Sequence, residues 1–120
     1  MARILAVDDS PSMRKMVAVT LTGAGHSVAQ ASDGSEALAA AREEVFDLVV
    51  TDVNMPNMDG ISLVQELRNL AAYKFVPLLI LTTEATAERK NQGKVAGATG
   101  WLVKPFNPER LLATIAKVLR

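Results

Sequence analysis

The chain has no cysteine, which excludes disulfides and thiolate chemistry and fits a cytoplasmic setting. It carries no net charge, because 13 basic and 13 acidic residues cancel. Nothing therefore pulls the whole molecule toward nucleic acid or an anionic membrane. No apolar run approaches the roughly 18 residues of a membrane span. The N-terminal "MARILAVDDS" has only a short apolar run before two aspartates, so it reads as neither signal peptide nor anchor. No repeat, low-complexity segment or linker stands out. What remains is 120 residues, 49% hydrophobic and 22% charged, a composition and length that suit one soluble domain. A chain of this size buries roughly two-thirds of its unfolded surface, enough for one core. The expectation is a single domain over 1–120 with no effector region.

Five short apolar runs read as strands: "RILAV" (3–7), "HSVAQ" (26–30), "FDLVV" (46–50), "VPLLIL" (76–81) and "GWLV" (100–103). The first, third and fourth lack polar alternation, the mark of strands covered on both faces in a parallel sheet. Helical segments lie between them. The first opens with Ser10 as N-cap and Pro11 at N1, shows Met13, Met16, Val17 and Leu21 at helical spacing, and stops at Gly23 and Gly25. The second has Asp33 and Glu36 at capping-box spacing. The third starts near Asp59 with Ile61, Val64, Leu67 and Leu70 on one face, and the fifth has Asn107 and Pro108 before a stripe of Leu111, Leu112, Ile115, Val118 and Leu119.

The fourth helix, roughly 84–97, differs: Val95 is its one large apolar residue and Gly93 sits inside it. An interior glycine costs ~1 kcal/mol relative to alanine. This helix is expected to be the most weakly anchored, and such elements tend to be those that move. The resulting β-α alternation predicts right-handed crossovers and an α/β layered fold.

Open parallel sheets bind ligands beyond the carboxyl ends of their strands. Asp8, Asp9 and Ser10 follow the first strand, Asp52 the third, Thr82, Thr83 and Glu84 the fourth, and Lys104 and Pro105 the fifth. Each alone has a plain reading. Asp8 and Asp9 can favour a helix N-terminus, Thr82 can cap a helix, and Lys104 can snorkel from a strand end. Asp52, in "TDVNMPNMDG", can be a turn residue. All of them at one sheet edge argue for a site. Clustered carboxylates repel unless a cation joins them. Oxygen ligands without His or Cys suit Mg²⁺, with Mn²⁺ as an alternative. Asp52 can then act as a nucleophile that becomes an aspartyl-phosphate. Lys104 would neutralise phosphoryl charge, and Thr82 would hydrogen-bond a phosphoryl oxygen.

"VDDS", "TDVNMPNMDG", "TTE" and "VKPF", in this order, resemble the receiver domain of two-component response regulators, over essentially all of the chain. The resemblance implies a three-layer (βα)5 flavodoxin-like, CheY-like domain with five parallel strands ordered 2-1-3-4-5; that order belongs to the family and is not read from periodicity. It also implies that Asp52 is the phosphoacceptor and that Asp8 and Asp9 are metal-binding acids, Asp9 the more direct. The main-chain carbonyl of Asn54 would be another ligand. Thr82 would be the switch hydroxyl and Lys104 the phosphate-binding lysine, followed by a cis bond to Pro105. Trp101 stands where the family usually has a tyrosine that flips on activation, and Thr83 where it often has alanine. These two departures bear on output and phosphate lifetime.

Among family members, the length and "DDSPSMRKMV" are similar to the single-domain chemotaxis regulators. The partners implied are a CheA-like histidine kinase as phosphoryl donor, and a flagellar motor switch or other output protein on the helix 4–strand 5–helix 5 face. A phosphatase is a further implied partner, and the protein would be a cytoplasmic monomer that binds neither nucleic acid nor membrane. His26, the one histidine, reads as structural or surface, so the phosphate donor is another molecule. The alternatives are a phosphate sink or relay intermediate, a Mg²⁺-dependent phosphatase, and a degenerate structural module. Asn54 cannot be the general acid that such phosphatases usually carry two residues beyond the nucleophile. The complete set of motif residues argues against the degenerate module.

Overall fold

A computed structural model describes residues 1–119. Five strands alternate with five α-helices: β1 (Arg3–Val7), α1 (Pro11–Gly23), β2 (Ser27–Ala31), α2 (Gly34–Glu43), β3 (Leu48–Thr51), α3 (Gly60–Arg68), β4 (Leu78–Thr82), α4 (Ala87–Ala96), β5 (Gly100–Val103) and α5 (Pro108–Val118). A single 3₁₀ turn, Ala71–Tyr73, lies between α3 and β4. All strand pairings are parallel and the sheet order is β2-β1-β3-β4-β5, which is the flavodoxin-like arrangement.

The three runs without polar alternation are the three inner strands. Successive side chains point to opposite faces, and each face has its own core. Leu5, Val7, Val49, Leu78 and Ile80 meet residues of α2 and α3 on one side. Ile4, Ala6, Leu48, Val50, Leu79 and Leu81 meet Val17 and Leu21 of α1 and Leu111 and Ile115 of α5 on the other. The edge strands β2 and β5 are only partly covered, and β2 carries the polar Ser27 and Gln30.

The helix starts follow the capping chemistry of the sequence. The side chains of Ser10, Asp33, Asp59, Thr86 and Asn107 each accept a hydrogen bond from the backbone amide three residues on. Two expectations need correction, the start of helix four and the buried stripe of α1. Helix four begins at Ala87 rather than 84, because Thr86 is its cap and residues 83–86 form a loop. Its one large apolar residue, Val95, is 78% exposed, and the small residues Gly93 and Ala96 are those it buries. On α1, Met16 points outward, and Val17, Ala18 and Leu21 form the buried stripe.

Two polar side chains join elements that periodicity cannot link. The Tyr73 hydroxyl, fully buried, accepts from the Phe46 amide and lies 2.8 Å from the Glu44 carbonyl. The Arg68 guanidinium donates to the carbonyls of Tyr73 and Val76, each at 2.7 Å, and of Gly97 at 2.8 Å. Gly97 caps α4 at φ 113°, a left-handed conformation that favours glycine. Burial pushes the Arg68 guanidinium below its ordinary value, so its charge is held by main-chain dipoles rather than by a carboxylate. A lysine has a point charge and cannot fork to these separate carbonyls. Arg68→Lys is therefore expected to lower stability by ~2 kcal/mol. A urea midpoint equal to that of the native chain would contradict this role.

Candidate functional site

The ladder of the sheet continues past the strand ends and sets the site. The Asp8 amide donates to Ala31 O at 3.1 Å, the Asp52 amide to Val7 O at 3.0 Å, and the Lys104 amide to Thr82 O at 2.8 Å. Each functional residue is thus clamped to a neighbouring strand. Its side chain is held over the carboxyl edge by rigid backbone rather than by a free loop.

There the Lys104 ammonium bridges Asp8 Oδ2 at 2.8 Å and Asp52 Oδ2 at 2.9 Å. The second oxygens are also held: Asp8 Oδ1 accepts from the Ser10 amide at 2.9 Å, and Asp52 Oδ1 from the Val53 amide at 2.6 Å. Asp8 is 5% exposed and Asp52 9%. Burial pushes the Lys104 ammonium down, but the hydrogen bonds and charges of Asp8 and Asp52 outweigh it and hold the ammonium above the ordinary lysine range.

Asp9, exposed, completes a cluster in which one oxygen from each of Asp8, Asp9 and Asp52 lies within 4.8 Å of the others. These are hard oxygen donors with no imidazole or thiolate among them, and three carboxylates face one ammonium. The donor set fits a hard divalent cation such as Mg²⁺.

The other predicted residues fall around this centre. Thr82 is fully buried and its Oγ1 accepts from the Glu84 amide at 3.3 Å. Asn54 is exposed, and its amide side chain donates to Glu84 Oε1 at 3.4 Å. Thr83 is exposed. Trp101 lies away from the carboxylates, half-buried against the α3-side core, with Nε1 donating to the Glu84 carbonyl at 2.9 Å. The Lys104–Pro105 peptide is cis, as the resemblance implies.

Some supporting residues were not singled out from sequence. Arg14 donates to the Asp8 carbonyl at 2.6 Å and so braces the acid loop from α1. A Cβ on Gly60 would lie 1.9 Å from the Asp52 carbonyl oxygen; only a glycine lets α3 start against the backbone of Asp52. The Gly34 amide donates to Met58 O at 3.1 Å, and Asn57 Nδ2 donates to Asp33 Oδ2 at 2.7 Å, so the loop after β3 rests on the start of α2. The clue to Gly60 was in "MDG", where a glycine follows the helix cap.

Several known proteins are similar to this chain in sequence and fold. Vibrio cholerae chemotaxis protein CheY4 is 56% identical with a TM-score of 0.94, the match covering 98% of both chains. Protein PilH of Pseudomonas aeruginosa is 40% identical over 119 residues, 99% of this chain and 98% of PilH. The receiver domain of a Pseudomonas aeruginosa sensor histidine kinase, described with a magnesium ion coordinated in its active site cleft, is 27% identical with a TM-score of 0.92, over 98% of this chain and 97% of that one. Other relatives are far longer: the chain spans 13% of the Myxococcus xanthus gliding motility regulatory protein and 26% of the Salmonella typhimurium transcriptional regulatory protein ZraR. Residues 4–116 match the response regulator receiver domain, and the chain belongs to that family of two-component signalling domains.

Proposed function

We propose that the chain is a phosphorylation switch that takes a phosphoryl group from a histidine kinase onto Asp52. The observation that carries this reading is the double bridge from Lys104 to Asp8 and Asp52. Asp52 is aimed and charge-compensated, yet its Oδ2 is held only by a lysine whose stem can swing. In the proposed step, a carboxylate oxygen of Asp52 attacks phosphorus. The phosphorus–nitrogen bond of the donor phosphohistidine breaks, and its electron pair stays on the imidazole. Lys104 shifts its ammonium from the Asp52 carboxylate to a phosphoryl oxygen. Thr82, whose oxygen already accepts from Glu84, has its proton free to donate to another. Phosphoryl transfer depends on such positioning and charge neutralisation.

Three carboxylates against one ammonium leave the centre short of positive charge before a phosphoryl adds about 1.5 to 2 negative charges. Asp8, Asp9, Asp52 and the Asn54 main-chain carbonyl would hold a Mg²⁺ ion, with Mn²⁺ as an alternative. The ion would supply the missing charge when bound.

The output would be protein–protein contact through α4, β5 and α5, acting as a single domain, and chemotaxis control is the role we assign. The likeness to CheY4 over nearly its whole length supports this. Localisation in the cytoplasm is part of the same reading. Among the described residues no helix is long and apolar enough to cross a membrane.

Acetyl phosphate with Mg²⁺ is expected to label the native chain and not Asp52→Asn, read by intact-protein mass; equal labelling of both would sink the assignment. Mg²⁺ alone should raise the melting temperature by relieving carboxylate repulsion, with a stabilisation of about 2.7 kcal/mol at a hundredfold excess over Kd. An unchanged melt at saturating Mg²⁺ would rule out the acid cluster as the metal site. Beryllofluoride, a phosphoryl mimic, should strengthen retention of the chain on an immobilised flagellar motor switch protein. Equal retention with and without it would favour a phosphate sink.

A further inference from the structure

Gly93 and Trp101 occupy one another's space. A Cβ built on Gly93 would lie 2.7 Å from Cζ3 and 3.0 Å from Cε3 of the Trp101 ring, and 3.2 Å from Cδ1 of Ile80. Contacts under 3 Å do not occur between real side chains, and an indole pinned between strand and helix has little room to yield. Trp101 is the β5 neighbour of Ile80 on β4, so the ring stands on the sheet beside it. On its other edge the indole N–H donates to the Glu84 carbonyl at 2.9 Å. Glu84 also donates its amide to Thr82 Oγ1 and accepts from the Asn54 side chain, two residues beyond Asp52. The ring is thus seated on Gly93 and tied at its nitrogen to the loop that borders the carboxylates.

We infer that Gly93 is a positioning residue for the switch: the missing side chain is the space in which the Trp101 indole lies inward, and the size of residue 93 sets how far the indole stays inward. A larger residue pushes the ring outward, breaks its bond to Glu84 and uncouples α4 from the site. The steric part of this inference is independent of phosphorylation. Only the coupling to the site rests on the reading of Asp52 as phosphoacceptor.

Trp101 is the only tryptophan, so its fluorescence reports the ring directly. In the full-length Gly93→Ala chain, without metal or phosphoryl mimic, the emission maximum should move to the red and acrylamide quenching should increase. An overpacking penalty of the usual size disfavours the inward ring about fivefold or more. The change on adding Mg²⁺ and beryllofluoride should shrink in proportion. Gly93→Ala should also lower the melting temperature of the native chain but not of Trp101→Ala, where alanine is the better helix former. Emission and quenching equal to the native chain would overturn the inference, as would an equal loss of stability in both backgrounds. If Gly93→Ala alone does not fold, the Gly93→Ala, Trp101→Ala double variant decides. A folded double variant supports the pairing, and an unfolded one overturns it. Acetyl phosphate labelling of the native chain is run alongside. Its failure would remove the phosphoacceptor reading and leave the free-state fluorescence result intact.

Discussion

One ammonium holds the carboxyl edge of the sheet together. Asp8 and Asp52 sit at the ends of adjacent strands, and like charges so close repel each other. Lys104 directly follows β5, two strands away from β3 across β4. Strands lie about 4.8 Å apart, so its backbone starts roughly 10 Å from that of Asp52. A four-carbon stem can cross this distance, provided that the strand between ends in a small side chain. Thr82 is that side chain. The sheet order, the length of lysine and the smallness of threonine are therefore one constraint seen from three positions.

That constraint also explains why the site can respond. A buried ion pair is weak evidence for stability, since desolvation offsets much of the attraction. Its stronger effect is on what happens when a charge is added. Any new anion on Asp52 competes for the ammonium, and a cation among the three carboxylates relieves Lys104 of part of its task. Under the proposed function, either event would act through Lys104 on the segment between β5 and α5. Thr82 and Glu84 connect the same centre to Trp101 by hydrogen bonds. Under the proposed function, these are the two routes by which chemistry at Asp52 reaches the α4–β5–α5 face.

The sequence was most legible where local chemistry decides. Apolar runs without alternation marked β1, β3 and β4 as inner strands, and the cap residues marked the helix starts to within a few positions. The census of strand ends brought Asp8, Asp52, Thr82 and Lys104 to one edge because parallel α/β topology leaves them no other place. What could not be read depends on contacts distant in sequence. Arg68 looks like an ordinary basic residue at a helix end until the carbonyls of Tyr73, Val76 and Gly97 converge on it. Val95 is the one large apolar residue of helix four, but side-chain type does not tell which way a helix of alanines and charges turns, and Val95 faces solvent. The residues that this helix buries are the small Gly93 and Ala96.

Gly93 shows why a local cost need not be a local defect. By propensity alone it weakens α4 by ~1 kcal/mol. Alanine would recover that amount only if the space beside it were open, and the Trp101 ring fills that space. Burying part of an indole against the sheet returns more than the glycine loses, because aromatic rings carry the largest apolar surface of any side chain. The helix is left with little apolar packing of its own: it buries Gly93, beside the Trp101 ring, and Ala96. An element without a broad stripe like those of α3 or α5 depends more on each of the few contacts it has. The missing side chain of Gly93 and the bulk of Trp101 are thus two halves of one arrangement.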